Sequence, residues 1–552
     1  MRLSQKWRND EAIEIRDQCM RSSANRGDFY HKCRNAFRHG SRDVDEARHN
    51  KIMPIIRRLS SYCYAPERIH FWADLPPDEI EHEDKIESAM DAINDGWHDT
   101  GSDLLASTAV EQAFVCGSSL ISVLPERMTD GSVALVSRII RPEMFGVWNE
   151  TCNDLLQQQA VCYDAYLSAP EIEIRLMMHP KRERDRIMAN LESTAPEYVE
   201  TDRVFVSNYQ GINSGNVETG IVMSRLGGRY NYSPNVSVPL YRVSNLFFFD
   251  DDIGDWNWML QSSSDTIFDL PVSDIGVPGI LPIVKIQPDP MDDYFWGWSM
   301  ADGLMLLQDW FGKRVAQMDE LFEKILKPPK VMFGMGQVRE AKMAGLNRPS
   351  GYASFPNPAA KLEELKPDIP ESAFDMMNEI GNYFEEAADM EGGSLKGKGQ
   401  PGLRGAEAQQ ALLRISASPI AVRALVIEKG VEDWASHIFR YKQRYEPSLY
   451  PVFGDDGKPT GQMFRLGELP DNTRIRVDGH SSSPVFFEDQ KRDAEQLFRA
   501  GAIDAETLIE FLNPPMKGLL KKRMRRRVMA QLIAQQIQKQ KQQEKQHGNA
   551  EK

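Results

Sequence analysis

Long hydrophobic runs are missing from this chain of 552 residues, and its first ten residues, Met1 to Asp10, carry charges where a secretory leader would have an apolar core. A membrane-crossing helix needs about 20 consecutive apolar residues, so neither a simple membrane span nor a signal peptide is expected. The expectation is a soluble, intracellular chain with no membrane partner. Cysteine is also scarce. Cys19, Cys33, Cys63, Cys116, Cys152 and Cys162 all lie in the first third, and none forms a CxxC pair. Such spacing predicts reduced, mostly buried thiols. A zinc site combining them with His31 or His39 lacks paired-ligand spacing, so no metal and no cofactor are expected. The histidines contain no HExxH, and Gly479-His480-Ser481 is not a GxSxG elbow. No active site is legible, and the chain is expected not to be an enzyme.

What is present is ordinary globular composition, 41% hydrophobic and 27% charged, enough to bury several cores without disulfide or metal staples. The formal charge is −15, but it is unevenly placed. Between Met516 and Lys552 there are 11 basic and 2 acidic residues, which leaves −24 on everything before. The basic cluster is Lys521, Lys522, Arg523, Arg525, Arg526 and Arg527. It suits a local contact with a phosphate backbone, or equally a solvated helix face. An acidic body with a basic end does not suit general nucleic-acid binding.

Along the chain, the first 125 residues read as mostly helical, broken at Pro66-Glu67 and Pro76-Pro77. A helix around Leu104 to Val115 ends at Gly117 and passes into the strand-like run Leu120 to Leu124. Strands then dominate to about Gln287: Val133 to Ile140, Arg203 to Ser207, Leu240 to Phe249 and Ile280 to Ile286, with a helical stretch near Ala169 to Leu191. This is an α+β pattern without βαβ alternation. After Trp298, Met300, Leu304, Leu307, Phe311, Val315, Met318, Phe322 and Ile325 recur every three or four residues. They predict one helix of about 26 residues, roughly 40 Å long, stopped by Pro328-Pro329. A second helix is expected from about Glu371 to Met390. Ala373, Met377, Ile380, Phe384 and Ala387 form its apolar stripe. Asp375, Glu379, Asn382, Glu386 and Asp389 lie opposite, since a two-residue offset rotates by about 200°. A glycine-rich segment, 391–405, leads into a long helix from Ala406 to Tyr445 with Pro419 as its expected kink. A short β region, Pro451 to Val477, precedes a helical end where Asp504 is a plausible N-cap.

Three motifs tempt a catalytic or metal reading. Gly392-xxxx-Gly397-Lys398 fits GxxxxGK, but position 399 is Gly where a P-loop needs Ser or Thr, and the segment follows a helix instead of a strand. Gly334-Met-Gly336 is followed by Arg at 339 where a dinucleotide fold needs Gly. In Asp250-Asp251-Asp252-Ile-Gly-Asp255 the glycine is fifth, not sixth as in an EF-hand loop, so a turn after the Phe247-Phe248-Phe249 strand is expected.

What remains is architectural: two amphipathic helices flank a Pro/Gly-rich insertion, then come a cationic glycine loop, a long kinked helix and a basic helical end. This order resembles that of tailed-bacteriophage portal proteins, the ring through which a genome enters the capsid. Three stretches are similar to the family: Val110-Glu-Gln-Ala-Phe-Val-Cys-Gly117-Ser-Ser-Leu-Ile-Ser-Val, the long helix and proline pair from Gly303 to Lys330, and Phe498-Arg-Ala-Gly-Ala-Ile-Asp-Ala-Glu-Thr507-Leu-Ile. The likeness covers most of the chain from about residue 100, while the first 70 residues match poorly.

The resemblance implies an α+β ring subunit. Residues 1–299 would be the N-terminal arm and wing, 300–326 and 372–390 the stem helices, and 327–371 the clip. Residues 391–405 would be the tunnel loop, 406–485 the long helix and C-terminal wing, and 486–552 the crown. It further implies a homo-oligomeric ring, a dodecamer in the family, around double-stranded DNA held without sequence preference. The ring would be assembled in the host cytoplasm and housed at the capsid portal vertex of the virion. Its partners would be the terminase large subunit, a head-tail adaptor or tail protein, and the major capsid and scaffolding proteins. Asp375, Glu379, Glu386 and Asp389 would line the channel, and Lys396, Lys398 and Arg404 would touch DNA from the loop. Lys330, Arg339 and Lys342 would serve the clip, and the 521–527 cations the crown. The competing reading is a nucleotide-hydrolysing packaging or repair enzyme using 392–399. A third is a helical scaffold without a channel.

Overall fold

Asn50 shows how the helical start of the chain is built. Its Oδ1 accepts the backbone N–H groups of Ile52 and Met53 at 2.9 and 3.1 Å, satisfying donors that a helix start leaves orphaned. The helix it caps, α3 (Ile52–Cys63), follows α1 (Gln5–Met20) and α2 (Ser23–His39). The computed structural model describes residues 5–21, 23–40, 49–65, 69, 71–74, 85–86, 88–90, 93–94, 97, 101–127, 133–176, 180–193, 240–250, 254–262, 265–275, 279–326, 330–333, 361–364, 371–390, 406–453, 459–470, 473–477, 494–503, 505 and 508–509. The chain divides into two units, residues 1–60 with 108–419 and residues 61–107 with 420–552.

Among the described residues, the first unit holds two sheets of three or more strands and one two-stranded ribbon. Helix α4 (Ser102–Cys116) ends at Gly117, whose N–H donates to Ala113 O at 2.7 Å and whose φ of 91° suits a residue without Cβ. The chain then enters β2 (Ser119–Arg127), the centre of a three-stranded sheet with β3 (Val133–Ile140) and β9 (Ile283–Ile286). The helix-to-glycine-to-strand passage is therefore as the sequence predicted. The second sheet has the order β4 (Phe145–Val147), β5 (Ala160–Ser168), β6 (Leu240–Asp250), β7 (Asp255–Gln261), β8 (Thr266–Pro271). Every described strand pair is antiparallel, so with its separate helices this is an α+β chain.

Both faces of the five-stranded sheet are covered. On one, Ala12 and Cys19 of α1 pack with Ala160, Cys162, Leu246 and Met259. On the other, α5 (Ala169–Arg175) and α6 (Lys181–Ser193) bury Ile172, Ile187 and Leu191 against Leu167, Val243 and Leu260. The sequence reading had one helical stretch here; the structure has two helices, with Pro180 immediately before the second. A proline suits a helix start but not an interior, where it removes a donor. Asp250 and Asp255 pair at the end of the β6–β7 hairpin, with Gly254 at φ 70° donating to Asp250 O at 2.8 Å, as the expected turn requires. Behind β7, the Asp255 carboxylate accepts N–H groups of Gly279 and Ser273 at 2.8 and 3.0 Å, holding the short α7 (Val272–Ile275) in place. Five of the six cysteines are buried and all are free thiols; Cys152 is half-buried.

The second unit contains β1 (Phe71–Asp74), a strand inside a stretch read as helical. Its partner is β14 (Arg474–Val477), some four hundred residues away, which no local pattern could reveal. The Asn94 side chain brackets Phe71, accepting its N–H at 2.8 Å and donating to its C=O at 3.0 Å. Trp97 packs edge-on to both Phe71 and Trp434. Trp434 belongs to α10 (Ala406–Tyr445), which continues through Pro419. β12 (Leu449–Phe453) and β13 (Pro459–Arg465) form a hairpin after it. The helical turn at 494–499 ends at Gly501, φ 72°, where Ala502 N donates to Leu497 O at 2.9 Å. The expected strand at 203–207, the breaks at Pro66-Glu67 and Pro76-Pro77, and the Asp504 cap lie outside the described residues.

Gly117 yields a direct test. A Cβ there would come 2.7 Å from Trp296 O and 3.1 Å from Gly297 O, besides forcing a left-handed φ on an L-residue. Gly117→Ala is expected to cost at least about 1–2 kcal/mol, read as a lowered unfolding midpoint relative to Ala113→Gly as a helix control.

Candidate functional site: a seated helix pair with an acidic stripe

The long helix predicted after Trp298 is α8 (Met300–Leu326), matching the expected span. Its start is fixed by several polar contacts. Ser299 Oγ accepts Asp302 N–H at 3.1 Å and donates to Val115 O at 2.6 Å, which caps α8 and ties it to the end of α4. Just over two turns further in, the Gln308 side chain is buried. Its Oε1 accepts Lys51 N–H at 3.0 Å and its Nε2 donates to His49 O at 2.8 Å, anchoring α8 to the link before α3. Sequence reasoning passed over Gln308, because a polar residue beside an apolar stripe has no signature of burial.

The approach to α8 is held by an aromatic and charged cluster. The Arg26 guanidinium lies 3.7 Å from the centre of the Trp296 ring, pairs with Glu150 and donates to Phe145 O at 3.1 Å. Glu150 also accepts Trp296 Nε1–H at 2.9 Å. Next to it, Lys285 of β9 donates to the backbone and side-chain oxygens of Asn153 and to Phe295 O, and its Nζ sits 4.1 Å from the Phe295 ring centre. Burial pulls the Lys285 pKa down to about 7, opposed by Asp154 and Cys152.

The second helix is α9 (Glu371–Ala387). It packs on α8 through Phe384 against Phe311, centroids 6.3 Å apart and edge-on, and through Tyr383 stacked on Trp310 at 6.2 Å. Between the helices the chain forms an antiparallel ribbon, β10 (Lys330–Phe333) with β11 (Lys361–Glu364). The expected apolar stripe of α8 is buried only in its first half. Met300, Leu304 and Phe311 are buried, Leu307, Val315, Met318 and Ile325 half-buried, and Phe322 exposed. Leu326 at the tip is 79% exposed, and Phe374 near the start of α9 is 48% exposed. In α9, Ile380 and Phe384 are buried as predicted, while Ala387 is exposed and Ala388 takes its inward position.

The acidic stripe faces water. Asp375, Glu379, Asn382 and Glu386 are all exposed, and Glu379 accepts the Tyr383 hydroxyl at 3.1 Å. That hydrogen bond, with the Glu379 charge, raises the Tyr383 pKa. Asp389 is placed differently from the expectation. The helix ends at Ala387, and Asp389 has φ 55° in a C-terminal cap where Met390 N donates to Glu385 O at 2.8 Å and Asp389 N to Glu386 O at 3.0 Å. A left-handed residue leaves the helical spiral, so Asp389 is not in register with the stripe. Met390, which closes the cap, is buried.

The remaining predicted site residues fall elsewhere. Lys330 opens β10, though its side chain lies outside the described residues. Arg339, Lys342, Lys396, Lys398, Arg404 and the 521–527 cations lie wholly outside them. Among the described residues, no helix is long and apolar enough to cross a membrane, and no group of three or more His, Cys, Asp or Glu is placed to hold a metal ion. No family model and no curated protein matches the sequence.

The Lys285 anchor predicts a pH dependence. Its folded pKa of about 7 lies below the unfolded value of 10.5, so between these the unfolded chain binds more protons and stability rises with pH. Below about 7 both states are protonated and the effect is flat. Lys285→Met strips the donor from three oxygens and is expected to be destabilising throughout. The gap in unfolding midpoint between wild type and variant should widen from pH 7 to pH 10. A gap that stays constant across that range would show that Lys285 keeps its proton.

Proposed function

We propose that this chain is the subunit of a tailed-bacteriophage portal, a ring at one capsid vertex through which the genome is packaged and later ejected. The observation that carries the reading is the helix–ribbon–helix from 300 to 387, seated at one end and bare at the other. Among the described side chains of its outer half, 313–326 and 374–379, none is fully buried, and its second helix keeps Asp375, Glu379 and Glu386 in water. A closed cyclic assembly gives both features a use. Neighbouring copies would cover Phe322, Leu326 and Phe374, because a heterologous contact repeated by rotation closes into a ring. The carboxylate stripe would face the channel and repel phosphates, letting DNA slide without adhering.

In this reading α8 and α9 are the stem, the ribbon and its flanking residues the clip, and the glycine-rich 391–405 the tunnel loop. Lys396, Lys398 and Arg404 would brush the DNA backbone by contacts that carry no sequence information. Lys330, Arg339 and Lys342 would serve the face that meets the terminase large subunit and afterwards an adaptor or tail protein. The wing would meet capsid and scaffolding proteins, and the basic 521–527 run would contact DNA from the crown. The role is mechanical, with no catalytic residue and no cofactor, and its place is the virion.

Light scattering after size exclusion, with negative-stain images of the peak, tests this. A ring of twelve subunits of 62.8 kDa has a mass of about 750 kDa and a central hole. A monomer or dimer at every concentration, with or without scaffolding protein, would overturn the reading. The same preparation is expected to hydrolyse no ATP, and Lys398→Ala to change nothing in that assay; ATPase activity abolished by Lys398→Ala would instead establish the nucleotide-hydrolysing alternative.

A further inference from the structure

The seated and bare halves of the helix pair meet at two glycines. Gly312 follows Phe311 in α8, and Gly381 follows Ile380 in α9, so both lie at the level of the Trp310–Tyr383 and Phe311–Phe384 contacts. A glycine inside a helix costs about 1 kcal/mol relative to alanine, which calls for a reason at each position. Packing supplies one at Gly303, where a Cβ would approach Trp298 Nε1 to 3.3 Å. Among the described residues, none lies within 4 Å of the place a Cβ would take at Gly381. No neighbour there requires glycine, so packing does not explain it.

The distribution of burial changes at the same level. On the seated side α8 buries Met300, Ala301, Leu304, Met305, Gln308, Phe311 and, as the last of them, Gly312 itself. On the other side, residues 313–326 and 374–379 contain no buried side chain. The first half is fixed by Ser299, Gln308 and the Arg26 cluster, whereas the side-chain bonds along the outer half of α8, Arg314 to Gln317 at 2.7 Å and Lys324 to Glu320 at 2.8 Å, stay within that helix. Edge-on and stacked aromatic pairs, each worth about 0.5–1.5 kcal/mol, are the last strong contact before that change. Sharp helix bends concentrate at proline, glycine and similar weak points, and segments with few buried contacts are the ones that move at low free-energy cost.

The geometry points to a hinge: the outer half of the pair swings on Gly312 and Gly381 about the aromatic quartet Trp310, Phe311, Tyr383 and Phe384. The seat stays still while the tips near Leu326 and Glu371 change direction. This does not rest on the portal reading, since it follows from glycine placement and burial within one chain.

Pulsed electron-electron resonance on the full-length protein tests it. A Cys152→Ser background leaves only the buried cysteines. One spin label goes at Leu156→Cys, an exposed site in the turn that Gln158 holds through Asn149 O and Cys152 O at 2.7 and 3.0 Å. The second goes either at Lys324→Cys, beyond the hinge, or at exposed Leu306→Cys, before it. Labelled chains are diluted into unlabelled ones so that each particle holds a single pair, whatever its oligomeric state. The distance distribution to 324 is expected to be about twice as wide as that to 306, and Gly381→Ala to narrow it by about half. Because the alanine side chain meets open space, this variant is also expected to raise the unfolding midpoint, which checks that it folds. Equal widths at 324 and 306, or a width at 324 that Gly381→Ala leaves unchanged, would overturn the hinge.

Discussion

The Arg26 guanidinium is the constraint on which the first unit depends. It joins three segments far apart in sequence: α2, which carries it, the turn holding Glu150, and the approach to α8 through Trp296. A buried cation is tolerable only when it is given hydrogen bonds and a counter-charge, and Glu150, Phe145 O and the Trp296 ring serve the two outer nitrogens and the charge, while the buried Nε has no partner among the described residues. Breaking one partner of such a pair typically costs about 3–5 kcal/mol, a large share of a domain's net stability. Alongside it, Arg34 and Glu143 form a two-pronged pair at 2.6 and 3.0 Å, so α2 is fixed at two points. The start of α8 inherits this rigidity, since Trp296, Gly297 and Ser299 are its immediate predecessors.

A rigid base makes the bare outer half of the pair more informative. Isolated helices shorter than about 12–15 residues are marginal in water, and most helices owe their stability to a packed face. The segment 313–326 has the sequence of a packed face, Val315, Met318, Phe322 and Ile325, but within one chain Val315, Met318 and Ile325 are only half-buried and Phe322 is exposed. Fully burying a side chain of this size is worth about 1.5–3 kcal/mol, so leaving several in water forgoes much of the stability that the sequence pattern offers. A second copy of the chain would recover it, and in the proposed ring each copy both gives and receives such a face.

Much of this was legible in the sequence because it is local. The period of Met300 to Ile325 fixed α8, the glycine after Cys116 fixed the passage from α4 to β2, and the alternation of acidic and apolar residues in α9 predicted which side meets water. What escaped detection depended on distant partners. Strand β1 exists because β14 and Asn94 complete its hydrogen bonds, and Phe71 alone does not announce either. Gln308 and Arg26 carry no local signal of burial until the segments that satisfy them are brought together. The misplacement of Asp389 has a different cause: helix periodicity was carried past the cap, and a left-handed residue broke the register by which the stripe had been counted.

The acidic stripe also bounds the geometry in which it could act. At physiological salt the Debye length is about 8 Å, so exposed carboxylates influence phosphates only at close range. A stripe of three carboxylates on one chain would scarcely affect passing DNA, whereas its repetition around a closed ring sums the field toward the axis, where low-dielectric walls focus it. The division of charge along the sequence, −24 before residue 516 and +9 after it, then acquires a physical sense. Repulsion belongs where a polyanion must slide, and attraction belongs where it must be steered. In the proposed ring, the stripe that does little for one subunit would therefore govern the lumen of many.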